Sequence, residues 1–383
     1  MRIAYLAPRI DVRSSSAEVV HVFEVAKAWK DMGHEVTIFT SRPGRPGGPM
    51  APKFRDFPVR ESLTPLSFPM ADAAEVSYCY DLLRRSRESR PDLLYLRHFA
   101  STLPARFASG ILGARLFVEV NGIHAVEERF LSRRYAILGG AQRFDGLGFH
   151  GAERIVAVTA QIADHLVKRY HVSPASISVV HNGANTDLFR PKLRQDCRSR
   201  VGFPPDVPIV LFVGDLARWQ GVDILIRSVP KILQANPSTI FAIVGGGAAL
   251  GELRALAEEL DVSPHVLFAG PVAYESVPDL VGACDVAVAP RRSLRSSSSP
   301  LKLYEYMACA RPVVASRIPE FQVVEDEGAG VLVEPENPER LAEAVAGLLA
   351  DSGLCQTMGA RGREIVEKEY SWRRVAARIA HYF

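Results

Sequence analysis

Apolar residues along this chain come in two alternating patterns: short unbroken runs, and stretches where they recur every three or four positions. The first pattern suits strands buried on both faces, the second helices with one apolar side. The chain opens with such a run, Arg2-Ile3-Ala4-Tyr5-Leu6-Ala7. From Glu18 to Met32 the apolar residues Val19, Val22, Phe23, Ala26 and Trp29 share a helical face, and Gly33-His34 ends it before a second run over Glu35–Thr40. Residues 41–75, rich in Pro, Arg and Gly, predict a long irregular excursion. The alternation then resumes with a helix over Ala74–Arg87 and runs over Leu93–Leu96, Leu116–Val120 and Ile155–Thr159. A helix over Ala160–Tyr170 and a run over Ile177–Gly183 that ends in a turn complete the first half.

Pro191 to Pro208 is polar and bounded by prolines, which marks a linker. Beyond it the pattern starts again. Runs over Pro208–Gly214, Thr239–Val244, Val266–Gly270, Val286–Ala289 and Pro312–Ala315 predict five strands. Helices are expected over Gly221–Asn236, Leu250–Leu260, Val277–Ala283, Pro338–Asp351 and Cys355–Lys368, with an amphipathic tail over Ser371–Phe383. The expected fold class is α/β: two tandem Rossmann-like, doubly wound domains, 1–192 and 193–368, with the tail of 369–383 packing back on the first. Ligands of open parallel sheets bind at the carboxyl ends of the strands, here expected in a cleft that the two domains share.

Length and composition fit this picture, since 383 residues are ample for two ordinary cores. No apolar run approaches the about 20 residues a membrane span needs, and the start is too soon charged for a signal peptide, so the cytoplasm is the expected location. The five cysteines, Cys79, Cys197, Cys284, Cys309 and Cys355, are odd in number and form no CxxC pattern, which argues against a disulfide framework or a zinc site. The net charge of +3 hides an asymmetry: residues 1–190 hold 25 Lys and Arg against 19 Asp and Glu, and the remainder 21 against 24. A basic first half suits an anionic partner or peripheral association with the inner face of a membrane; scattered solvated arginines would give the same count.

The candidate chemistry centres on RSSSSPLKLYEYMACARPVVAS, Arg295–Ser316. Leu301, Leu303, Tyr304, Met307 and Ala308 recur at helical spacing. Ser299 is a good N-cap and Pro300 a good first helical residue, so the free N–H groups there form a ready anion site. An ordinary capped helix after a strand would read the same. In the first half, the polar turn PRIDVRSSSAE follows the first strand, and the strand over Leu116–Val120 runs into Asn121-Gly122-Ile123-His124. His124 just past a strand end is well placed to meet substrate; a surface loop histidine is the alternative.

Taken together these segments resemble the retaining glycosyltransferases of family four, which have the GT-B fold. MGHEVTIFT is similar to that family's first-domain helix end and second strand, and VVHNGANTDLFRP to its interdomain segment. LFVGDLARWQGVDILIRS looks like its donor-phosphate motif, AIVGGG, VLFAGPV and ACDVAVAP like its second-domain strands, and SPLKLYEYMACARPVVAS like its signature helix. The order and spacing hold over about 300 residues.

The resemblance implies a nucleotide diphosphate sugar donor held mainly by the second domain, and a glycan, lipid-linked or small-molecule acceptor held mainly by the first. No nucleic acid, metal or other cofactor is expected. Glu305 would accept hydrogen bonds from the ribose, the backbone around Ser298, Ser299 and Leu301 would hold the diphosphate, and Gly214 and Asn182 fall within the donor-binding motifs. Ser15 and Ser16 stand where the family carries a Gly-rich turn toward the leaving phosphate. The sequence departs from the family at three places: its Arg and Lys of the phosphate motif fall on Asp215 and Gln220, its first signature glutamate falls on Ser297, and its first-domain histidine falls on Asn121. Lys302 and Arg218 are the candidates to replace the two lost cations, with Asn121 and His124 as catalytic candidates. The implied activity is sugar transfer with retention of configuration; a non-catalytic relative that binds a sugar nucleotide or a partner enzyme is the alternative.

Overall fold

In the computed structural model, the residues described are 1–8, 10–14, 16–42, 50–65, 80–85, 90–99, 101–122, 142–293 and 299–383. The chain divides into two compact units: Met1–Asn182 with Arg295–Ser299 and Trp372–Phe383, and Gly183–Leu294 with Pro300–Ser371.

Among the described residues the first unit holds a seven-stranded parallel sheet of β1 (Arg2–Ala7), β2 (Glu35–Arg42), β3 (Val59–Pro65), β4 (Leu93–Arg97), β5 (Arg115–Val120), β6 (Arg154–Ala157) and β7 (Ile177–Val179). Their order is β3-β2-β1-β4-β5-β6-β7. The sequence order reverses between β1 and β4, so the crevice that doubly wound sheets offer to ligands opens at the carboxyl ends of those two strands. Ala4, Leu6, Leu94, Leu96, Leu116 and Val118 face one layer of the core. Tyr5, Trp29 and Tyr95 pack on the other, Tyr95 edge-to-face with both and Tyr5 tilted against Trp29. The helix Trp372–Ala380 belongs to this unit: the Trp29 indole donates to the Ala376 carbonyl at 3.1 Å. Phe383 then stacks edge-on against Trp29.

The second unit repeats the design with β8 (Ile209–Val213), β9 (Ile240–Val244), β10 (Val266–Gly270), β11 (Val286–Ala289), β12 (Val313–Ser316) and β13 (Gly330–Val333) in the order β10-β9-β8-β11-β12-β13. Alternate residues of each strand enter opposite layers. Leu211, Ala242, Ala287 and Val313 face one, Val210, Phe241, Val286 and Val314 the other. The switch point here lies between β8 and β11.

Three elements differ from the sequence expectation. The Pro-rich excursion contains β3, which pairs in parallel with β2 from Ile38↔Val59 onward and tolerates Pro65 because it is an edge strand. The expected linker contains the helix Arg194–Val201, whose polar sequence hides two buried residues. Cys197 is one. Arg198 is the other, donating to the carboxylate of Asp285 at 2.7 Å and to the Ala283 carbonyl at 3.1 Å. The third is β13, a run of four residues too short to stand out after Gly328-Ala329 and before Glu334-Pro335.

Candidate functional site

The carboxyl ends of β8 and β11 carry the densest chemistry of the second unit. Gly214 follows β8 with φ +149°, and Gly245 follows β9 with φ +136°. A Cβ on Gly245 would lie 1.9 Å from the Gly214 carbonyl oxygen, and one on Gly214 would lie 2.5 Å from Lys302 Nζ. Only glycine lets the two turns touch while the lysine crosses them.

Lys302 reaches this point from the helix Leu301–Ala308. Its Nζ donates to Gln220 Oε1 at 2.9 Å and stands 4.0 Å from the centre of the Phe212 ring. Burial pushes the ammonium down to about 7; the charge of Arg291 adds to the effect, and Glu305 and Asp215 oppose it. Burial in turn raises the Asp215 carboxyl, against the Lys302 charge and a backbone N–H at Leu216. Arg291, only 6% exposed, lies just past β11 with its guanidinium 5.0 Å from the Trp219 ring centre. The fold thus gathers two cations where the sequence motif has lost its own.

Two expectations are corrected here. Arg218 does not join this group: it is 79% exposed at its side chain and its Nε donates to Glu252 at 3.0 Å. Its 3-10 turn, Arg218–Gln220, points the side chain toward the helix Leu250–Glu259 that carries Glu252. Arg291 stands where Arg218 was expected. Nor is Ser299 the N-cap. Pro300 occupies that position with φ −84° and ψ 102°, and no side chain caps the helix. The Ser299 hydroxyl instead accepts the Asn182 N–H at 3.0 Å, while Asn182 Nδ2 donates to the Ser299 carbonyl at 3.4 Å. The helix therefore begins at Leu301 with its first N–H groups unclaimed by a cap. Glu305 sits one turn later. It is 9% exposed and accepts the Tyr274 hydroxyl at 2.9 Å.

In the first unit, Ser16 caps the helix Ala17–Asp31, its hydroxyl accepting the Val19 N–H at 3.4 Å. Asn121 lies just beyond β5 and is partly buried. Ser15, His124 and Ser298 lie outside the described residues. Sequence reasoning passed over a buried pair: His21 Nε2 stands 2.7 Å from Glu119 Oε1. Burial acts to raise the Glu119 carboxyl, but His21, Arg97 and Asn121 outweigh it and hold the group low. A glutamate inside the apolar run RLFVEV was the available signal, because a buried carboxylate needs partners. His98 Nε2 and Asp145 Oδ2, 3.1 Å apart, form a second such pair. No group of three metal-ligating side chains and no helix long and apolar enough to cross a membrane occur among the described residues.

Comparison with known proteins agrees with this architecture. The family model of glycosyl transferases group 1 matches residues 194–365, and that of glycosyltransferase family 4 matches residues 19–188. A D-inositol 3-phosphate glycosyltransferase of Acidothermus cellulolyticus is 30% identical over 88% of this chain and 78% of its own length. Sucrose-phosphate synthase from Thermosynechococcus elongatus superposes with a TM-score of 0.81 at 22% identity, covering 100% of this chain and 98% of that one. Anabaena HepE in complex with UDP and glucose gives 0.79 at 17% identity, covering 100% and 99%. The chain is a glycosyltransferase with two Rossmann-like domains, and it belongs to the group 1, family 4 glycosyltransferases of GT-B fold.

Proposed function

We propose that this enzyme transfers a sugar from a nucleotide diphosphate donor to an acceptor hydroxyl with retention of configuration. The observation that carries the reading is the meeting of Lys302 and Arg291 beside the uncapped start of the Leu301–Ala308 helix, with Glu305 one turn along. Two cations and free N–H groups suit a diphosphate, and a buried carboxylate, which only accepts hydrogen bonds, suits ribose hydroxyls. In the transfer, the bond from the sugar carbon to the diphosphate oxygen breaks and one to the acceptor oxygen forms on the same face. The departing diphosphate gains negative charge, and fixed cations and N–H dipoles stabilise it. The acceptor's proton leaves with the diphosphate or to water.

The relatives named D-inositol 3-phosphate glycosyltransferases favour a small phosphorylated polyol as acceptor over a polymer. HepE, solved with UDP and with UDP-glucose, favours a uridine donor. A thermal-shift panel of nucleotide diphosphates and their sugars tests the donor: a ligand at about 100 times its dissociation constant stabilises by roughly 2.7 kcal/mol. UDP is expected to rank first. A panel in which no nucleotide diphosphate raises the melting temperature overturns the reading. Retention is read from the anomeric configuration of the first product.

A further inference from the structure

The 3-10 turn Arg218–Gln220 follows β8, and the chain just past β11 holds it in place. The Arg292 N–H donates to the Trp219 carbonyl at 3.1 Å, and Arg292 Nε donates to the Arg218 carbonyl at 3.2 Å. Arg292 is itself fixed, with Nη2 at 2.5 Å from Asp223 and Nη1 paired with Glu336. Gly221 ends the turn so close to the exit of β11 that a Cβ there would lie 1.6 Å from the Pro290 carbonyl oxygen. The backbone carrying Trp219 is thus held by contacts that do not use its indole.

The cations around this turn fall into two kinds. Arg218 and Arg292 are held by carboxylates. Arg291 instead lies with its guanidinium 5.0 Å from the centre of the Trp219 ring. Lys302 stands 4.0 Å from the centre of the Phe212 ring and donates to the neutral amide of Gln220 at 2.9 Å. A carboxylate cancels the charge it holds, whereas an aromatic face or an amide oxygen holds a cation and leaves its charge in place. An arginine side chain has many rotamers to lose, and a departing anion is best stabilised by donors fixed before the reaction. A ring on a clamped backbone meets both needs. Adjacent residues of one turn, Trp219 and Gln220, therefore each hold one of the two cations that meet here.

We infer that Trp219 is a positioning residue for sugar transfer: its ring holds the Arg291 guanidinium in place without neutralising it, and with Gln220 it makes the Arg218–Gln220 turn the mount for both cations. This deepens the transferase reading and rests on it for the diphosphate that the cations meet; the seating of Arg291 on the ring does not.

The test has a ligand-free arm and a turnover arm. In the free enzyme the titration of Lys302, held down by burial and by Arg291 against Glu305 and Asp215, reports where the guanidinium sits. It is followed by the nitrogen NMR shift of labelled lysine, assigned with Lys302→Met. Trp219→Leu should let Arg291 swing away, so Lys302 titrates at higher pH, as it should in Arg291→Met. Trp219→Leu should also slow transfer at least fivefold with the acceptor KM within twofold of the parent, and Trp219→Phe should recover most of the rate. In an Arg291→Met background Trp219→Leu should cost less than twofold more, because the ring acts through the guanidinium. Tetrafluorinated tryptophan at position 219 keeps the shape of the ring while weakening its negative face, so it keeps the test decisive even where Trp219→Leu fails to fold. It should raise the Lys302 titration and slow transfer in the same direction as Trp219→Leu. A Lys302 titration unmoved by fluorination and by a folded Trp219→Leu overturns the seating. A shifted titration with transfer unchanged, or a full Trp219→Leu effect in the Arg291→Met background, overturns the positioning role. The titration needs no nucleotide, so failure of the donor reading and failure of this seating register separately.

Discussion

Lys302 Nζ and Gln220 Oε1 meet at 2.9 Å, the lysine supplied by a helix some eighty residues further along the chain. Gln220 stands where the family resemblance leads one to expect a lysine. A cation lost from one strand end is thus restored from another, at nearly the same point in space. The restored cation is not equivalent to an exposed lysine, because burial and Arg291 hold it near neutrality at about 7.

Proton linkage follows from that value. Above pH 7 the free enzyme carries Lys302 largely uncharged, and a bound diphosphate favours the charged form. Nucleotide binding at pH 8 should therefore take up close to one proton, and affinity should fall up to about tenfold per pH unit above 7. For folding the sign differs: the unfolded chain binds this proton between about 7 and the ordinary lysine value, so this group makes the free protein more stable as pH rises through that window. Calorimetry of UDP binding in buffers of different ionisation enthalpy measures the uptake. Lys302→Met should abolish it, and a parent that takes up no proton at pH 8 would show that the ammonium stays charged.

Glu305→Ala should both weaken UDP and lower the melting temperature. Truncation leaves the Tyr274 hydroxyl without its charged acceptor, worth about 1.5 to 3 kcal/mol. Glu305→Gln retains an acceptor and should recover most of the stability but not the affinity. Equal losses of both in the two variants would mean that the carboxylate serves only the fold.

Why some of this could be read in the sequence and some could not is a matter of range. Strands buried on both faces and helices with one apolar face declare themselves locally, so β1, β2, β8, β9 and the helix Ala17–Asp31 fall close to their expected bounds. β3 escaped because its residues, VRESLTP, are those of a half-paired edge, and β13 because four residues, GVLV, carry little pattern. The family resemblance of the signature helix pointed to Lys302 and Glu305. Arg291 did not show itself, since an arginine after a strand looks like any solvated loop residue until Trp219 and Lys302 are brought beside it. The His21–Glu119 pair depends likewise on a contact between residues far apart in the chain.

Activity should survive chelating agents. No acidic pair of DxD type stands at a strand end in the sequence, and Lys302, Arg291 and helix N–H groups can neutralise a diphosphate without a divalent ion. Turnover measured in EDTA should match the untreated enzyme. Loss in EDTA that magnesium or manganese restores would require a metal at the diphosphate.

The two arginines near the lost phosphate motif should behave in opposite ways. Arg218 is spent on Glu252 in an exposed pair, where solvent screens most of the attraction, so Arg218→Gln should leave sugar transfer and melting temperature unchanged. Arg291 is buried and its charge reaches Lys302. Arg291→Met should slow transfer at least tenfold, because one of two charge-assisted contacts to the departing diphosphate is lost, each worth about 1.5 to 3 kcal/mol. It should also relieve Lys302, raising its pKa, so that proton uptake on UDP binding at pH 8 shrinks in this variant while it stays intact in Arg218→Gln. A purely structural role for Arg291 would lower the melting temperature without moving that uptake. Transfer slowed by Arg218→Gln and untouched by Arg291→Met would return the role to the exposed residue and refute the arrangement described for the site.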